Sequence, residues 1–203
     1  MKKGCLIGLI VTAAIILVIA IGLFSFVKNT YNGIVTMEEN VTQKWAQVEN
    51  AYQRRADLIP NLVEVVKGYA KFERETLEAV ISARSKVGGQ VNIGSEVLNN
   101  PEAFAKFQEV QGSLTSALQR LMVVVERYPE LKADQRFADL QVQLEGTENR
   151  ISVERGRFNE AVQTYNTNIR QFPANIVAGF FSFQQKIYFK SDEGSEKAPQ
   201  VKF

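Results

Sequence analysis

The sequence predicts an all-α protein, with an N-terminal transmembrane helix followed by an antiparallel four-helix bundle of long helices. Three observations carry this expectation. The chain runs uncharged from Gly4 to Val27, apolar residues then recur at helical spacing through four long segments, and strand signals are scarce. With 203 residues, 45% of them hydrophobic, the chain can bury a packed core.

The Gly4–Val27 run covers about 36 Å as a helix, slightly more than a hydrocarbon core of about 30 Å. A cleaved signal peptide is the competing reading, with Ala20 and Gly22 as a small-x-small site. The apolar run, however, continues past that site through "LFSFV" and exceeds a usual signal core. Cys5 precedes the run, so it does not fit a lipoprotein signal. The expected partner of residues 4–27 is therefore a lipid bilayer. Lys2 and Lys3 favour a cytoplasmic N-terminus and a bundle outside the cytoplasm. About three residues then remain inside, too few for an output domain.

In the first helix of the bundle Ile34, Val41 and Val48 recur every seven residues, with Trp45 and Tyr52 on the same face. The stretch "RRADLIP" then predicts a joint. Arg54 and Arg55 complement the C-terminal dipole of one helix, Asp57 caps the next, and Pro60 falls in its first turn. The second helix carries Leu62, Val66, Tyr69, Leu77, Val80 and Val87 in one stripe and stops at "GGQ". Asn100 as N-cap, Pro101 at the first position and Glu102 in the first turn open the third helix. Its seam is Phe104, Phe107, Gln111, Leu114, Leu118, Leu121 and Val125, and "YPE" at 128–130 ends it. The fourth keeps a heptad through Phe137, Leu144, Ile151, Phe158, Tyr165 and Phe172 until Pro173.

Up-down-up-down order places the 54–60 and 128–132 turns far from the membrane, and brings the 88–100 loop and the C-terminus back toward it. The expected organisation is an anchor at 1–28, a bundle at 29–190 and a polar, poorly ordered tail at 191–203.

The composition excludes several function classes. There is no histidine, which removes Ser-His-Asp and Cys-His nucleophile systems, histidine zinc sites and Glu-x-x-His di-metal motifs. Three of the 24 basic residues flank the apolar segment, so beyond it basic groups nearly balance the 22 acidic ones. That is no footprint for nucleic acid. No spacing points to a catalytic constellation, a cofactor or a metal site.

"YNGIVTMEENVTQKWAQVENAYQRRADLIPNLVEVVKGYA", then "LEAVISAR", then "ENRISVERGRFNEAVQTYNTNIRQFP" closely resemble the LemA family of bacterial membrane proteins, over residues 31 to about 189. The resemblance implies a membrane anchor on an antiparallel helical bundle and no established enzymatic activity. A magnetosome-associated branch implies membrane-organising work in some relatives. One departure is that the family often has His-Glu where this chain has Phe72-Glu73.

The candidate interaction or structural polar sites are Arg54, Arg55, Asp57, Glu73, Arg84 and Glu154. The first three are explained by capping, with contact to a partner protein at an exposed tip as the alternative. Glu73 and Glu154 fall on heptad positions that point at the seam, where an acid needs a partner or must sit at a wet edge. Counting from the turns puts Glu154 within reach of Arg84 across the bundle. Phe158-Asn159 and Tyr165-Asn166, one heptad apart, read as core aromatics beside register-fixing asparagines, with a ligand-binding face as the alternative. Phe180, Phe181 and Phe183 pack on the bundle end or lie on the bilayer interface. Three functions follow: an interaction or scaffolding module at the bacterial inner membrane, a ligand-sensing bundle that reports through a partner, and an enzyme using carboxylates or a Ser-Lys pair, for which no spacing speaks.

Overall fold

The computed structural model describes residues 3–69, 74–89 and 94–190. Its elements are α1 (Lys3–Tyr69), α2 (Arg74–Gly89), a 3-10 turn (Ser95–Asn99), α3 (Pro101–Val125), α4 (Pro129–Lys132), α5 (Gln135–Arg170) and α6 (Ala174–Phe180). The described residues contain no strand.

α1 is a single helix of 67 residues, about 100 Å long. Side chains from Ile7 to Val27 are all exposed, and by length and composition this stretch can cross a membrane. From Ile34 onward the same helix forms one wall of the bundle. α2 runs back along it, α3 runs out again, and α5 returns antiparallel to α1 in the most extensive packing of the molecule. This is the expected up-down-up-down order.

The expected joint at 54–60 is not there, because α1 continues through Pro60 to Tyr69. A proline inside a helix deprives the carbonyl four residues back of its donor. Here that carbonyl belongs to Ala56, and Arg84 Nε on α2 donates to it at 3.0 Å. The packing stripe also runs on without a phase break, since Ile59, Leu62, Val63 and Val66 are all buried. Tertiary packing and one borrowed donor therefore outweigh the local break signal. Asp57 is consequently no cap. It is exposed, and it accepts from Gln53 Nε2 at 2.8 Å on its own helix.

Other boundaries follow the chemistry. Asn100 Oδ1 accepts from the N–H groups of Glu102 and Ala103 and caps α3. Asp134 does the same for α5 with Arg136 and Phe137. The α3 seam is buried throughout, and so is that of α5 as far as Tyr165. Phe172 departs from its expected place. α5 ends at Arg170, so Phe172 falls in the following bend and is 80% exposed.

The core divides into two apolar clusters. One, nearer the apolar segment, gathers Trp45 with the rings of Phe104, Phe107, Phe158 and Phe189 at centroid distances of 5.2–5.9 Å. The other, at the far end, gathers Ile59, Leu62, Val66, Val80, Leu114, Leu121 and Phe137. Between them lies a polar layer.

Candidate functional site

Arg55 is the centre of that layer. It continues the heptad Ile34, Val41, Val48 to Leu62, so the helix drives its side chain inward, and only 1% of it is exposed. Burial of a guanidinium demands partners. Nη1 donates to Glu148 Oε1 at 2.7 Å and to Thr115 Oγ1 at 2.9 Å. Nη2 donates to Gln111 Oε1 at 2.6 Å, and the plane lies 5.1 Å from the Tyr52 ring centroid. Nε alone has no partner. Gln111 is itself a buried seam residue of α3, so α1, α3 and α5 meet at this one cation.

Around this layer the bundle is open on one side. Among the described residues α3 and α5 come nowhere within 8 Å of each other, Cα to Cα. The gap holds a cleft of about 490 Å³, with Tyr52 and Arg55 on its floor, Gln108 and Gln119 on one wall, and Glu148 and Arg155 on the other. Its lining is rich in amide, hydroxyl and charged groups. No group of three or more His, Cys, Asp or Glu able to hold a metal occurs among the described residues. The cleft can donate and accept hydrogen bonds to a ligand, and it offers an extended polar chain a place to lie.

Nearer the apolar segment the same seam is filled by the chain itself. Residues 183–190 form an extended strap along α5 that runs antiparallel to it. Asn166 Nδ2 donates to the Lys186 carbonyl while its Oδ1 accepts from the Lys186 N–H, both at 2.9 Å. Asn159 pairs with the backbone of Phe189 in the same way, at 3.0 and 2.9 Å. Seven helical residues advance about 10.5 Å, and three extended residues about 10 Å. A heptad of asparagines thus reads every third residue of an extended chain. α1 repeats the match, with Tyr31 on Phe183, Glu38 on Lys186 and Trp45 on Phe189. Phe189 forms the end wall of the cleft.

Electrostatics lock the strap. The buried Lys186 ammonium donates to Glu38 Oε1 at 2.6 Å and to Asn99 Oδ1 at 2.7 Å. Burial, and then the nearby Glu38 carboxylate, push the Tyr165 phenol up to about 12; its hydroxyl donates to the Gln184 carbonyl. At the far end Asp134 is held well below the ordinary carboxylate range by hydrogen bonds from Arg136 first and Tyr69 second.

The structure separates the candidate residues that sequence reasoning grouped together. Arg54 is exposed and reaches Gln143 at 3.4 Å, on the bundle flank and not at a tip. Arg84 and Glu154 do not pair. Arg84 serves Ala56, whereas Glu154, 3% exposed, bonds Arg157 at 3.0 Å with Arg150 at 3.6 Å, both on its own helix. Arg side chains three and four residues away reach it along the helix surface, so it needs no partner across the bundle. Glu73 lies outside the described residues. Phe181 and Phe183 pack at a tilt against Tyr31, and Phe180 is 82% exposed. Sequence reasoning missed the joint role of Arg55, Gln111 and Glu148, and it missed the strap. The unbroken heptad through Arg55 was the available signal for the first, and Phe183, Lys186, Phe189 at spacing three for the second.

The LemA family model matches residues 44–203. Among characterised proteins the chain is similar to Magnetosome protein MamQ of Magnetospirillum gryphiswaldense, 30% identical over 175 residues, 78% of this chain and 64% of that protein. Magnetosome protein MamQ 1 of Paramagnetospirillum magneticum is 29% identical over the same length, 79% of this chain and 64% of its own. Protein LemA of Metamycoplasma hominis is 24% identical over 177 residues, 87% of this chain and 76% of that one. The chain therefore spans a little under two thirds of the length of the magnetosome relatives.

Proposed function

This chain belongs to the LemA family, and from that premise we propose that it is a non-enzymatic interaction module, held at a bacterial cell membrane by residues 4–27. In this reading residues 1–28 anchor, residues 29–190 form the working bundle and residues 191–203 are a polar tail. The N-terminus is cytoplasmic and the bundle lies outside. Relatives named as magnetosome and LemA proteins, and not after a reaction, support the non-enzymatic part.

The observation that carries the interaction role is the seam between α3 and α5. Half of it already grips an extended segment by its main chain, and the other half is an open polar cleft in line with that segment. An extended segment of a partner protein fits the open half. Backbone groups there find amide and hydroxyl partners, and since Arg55 and Glu148 neutralise each other, Arg155 leaves the lining one positive charge in excess. The test is photo-crosslinking in intact membranes from Ser116 in the cleft and from Val123 on the outer face of α3. Capture of a discrete protein from Ser116 and not from Val123 is expected. Equal capture from both, or none from a folded and inserted protein, contradicts the reading.

The ligand-sensing alternative has one observation of its own, since the cleft volume lies within the usual range of small-molecule sites. Equilibrium dialysis of the purified protein against small-molecule extracts, with Arg55→Met as control, decides it. Retention of one compound by the wild type alone supports a ligand site.

A further inference from the structure

From Gln171 to Gln185 the chain carries no charge, and α6 lies inside this stretch. One face of α6 packs on the bundle through the buried Val177 and Ala178. The opposite face, which in water should be polar, is apolar as well. Ile176 is 63% exposed and Phe180 82%, with Phe172 at 80% just before the helix. Three large exposed apolar side chains on α6 and the turn just before it make a patch that needs a cover.

The position of α6 decides what covers it. The Phe181 and Phe183 rings lie 4.7 and 5.6 Å from the Tyr31 ring on α1. Tyr31 is one turn, about 6 Å, beyond Val27, the last residue of the uncharged run. The hydrocarbon core spans about 30 Å and the whole bilayer about 40–45 Å, so this is the depth of the headgroup layer. Aromatic side chains concentrate there because their rings are apolar and their edges tolerate water. In the sequence Lys28 lies three residues before Tyr31 and Arg170 two before Phe172, and lipid phosphates attract such cations.

We propose that α6, through Phe172, Ile176 and Phe180, docks in the interfacial layer of the same bilayer that α1 crosses, as a second membrane contact. A single helix leaves the bundle free to rotate about its axis. A second contact off that axis stops the rotation and turns the α3–α5 cleft in one fixed direction. The inference does not depend on what the cleft binds.

The test uses the full chain in phosphatidylcholine–phosphatidylglycerol vesicles, with Cys5 replaced by Ala and a nitroxide attached to Ile176→Cys or Phe180→Cys. Both side chains are mostly exposed, so labelling them spares the core; circular dichroism checks this. Val142, 68% exposed on the flank of α5, provides the reference for water. Power saturation compares collisions with oxygen, which partitions into lipid, and with a water-soluble nickel chelate. The oxygen-to-nickel ratio is expected to be several-fold higher at 176 and 180 than at 142. Ratios equal to that at 142 place the patch in water and overturn the proposal. Exclusion of both agents at 176 and 180 shows protein cover by a second copy, and overturns it equally.

Discussion

Pro60 and Arg84 form a pair in which one residue creates a vacancy and the other fills it. If Arg84 Nε is the donor that Pro60 took away from Ala56, the two positions must be coupled. Arg84→Ala in the wild type is expected to cost about 1 kcal/mol, the worth of a typical hydrogen bond. In a Pro60→Ala background the restored N–H takes over, and the cost should fall toward zero. A double-mutant cycle by denaturant unfolding measures this, and zero coupling removes the explanation of the unbroken helix. Asp57→Ala should change stability by less than about 0.5 kcal/mol, as for other exposed positions without a cap role. Glu148→Ala is a different case. It strips a buried guanidinium of its counter-charge, which in general costs about 3–5 kcal/mol. Glu148 is 42% exposed, so solvent takes part of that load and about 2 kcal/mol is expected. Arg55→Met, which removes the charge itself, should fall well below this. Local chemistry explains why sequence reasoning broke the helix here. Two arginines, an aspartate and a proline spell a joint, and the packing stripe beyond them together with the position of Arg84 in space overrides them.

Among the elements, α5 and the strap carry the most specific expectations. Asp134 caps α5 and holds Tyr69 and Arg136, and its carboxyl is depressed in the folded state. A depressed acid contributes stability that is present above its unfolded value, about pH 4, and is lost as the pH falls further. Wild type should therefore exceed Asp134→Asn in melting temperature at pH 6, with the gap closing as the pH drops below about 4. A constant gap across that range contradicts the assignment. For the strap, the double variant Asn159→Ala, Asn166→Ala unpairs the backbones of Phe189 and Lys186. Hydrogen exchange at residues 184–190 should speed up by orders of magnitude while α3 and the far end of α5 stay protected. The heptad spacing of the two asparagines was legible in the sequence, and so was the aromatic packing beside them. Their partner was not, because an extended segment held by side-chain amides has no strand neighbour and leaves no strand signal.

At the scale of the molecule, the helical class, the up-down order, the α3 seam and most of the α5 seam follow directly from apolar spacing and capping. The extent of α1 and the split of the core do not. A polar layer between two apolar clusters depends on three residues from three helices, Arg55, Gln111 and Glu148, whose meeting no single stripe reveals. In the proposed function that layer is the floor of a binding cleft, and Gly112 offers a direct way to test the idea. It lines the cleft, and a Cβ added there meets nothing within 4 Å. Leucine at this helical position should keep or raise stability by up to about 1 kcal/mol, since glycine is a poor helix former, while filling the cleft. The deciding measurement is photo-crosslinking from Gln119 in intact membranes, comparing wild type with Gly112→Leu. Loss of the captured partner in a variant whose melting temperature is unchanged or higher is the result this account predicts. Undiminished capture by the filled variant would contradict it.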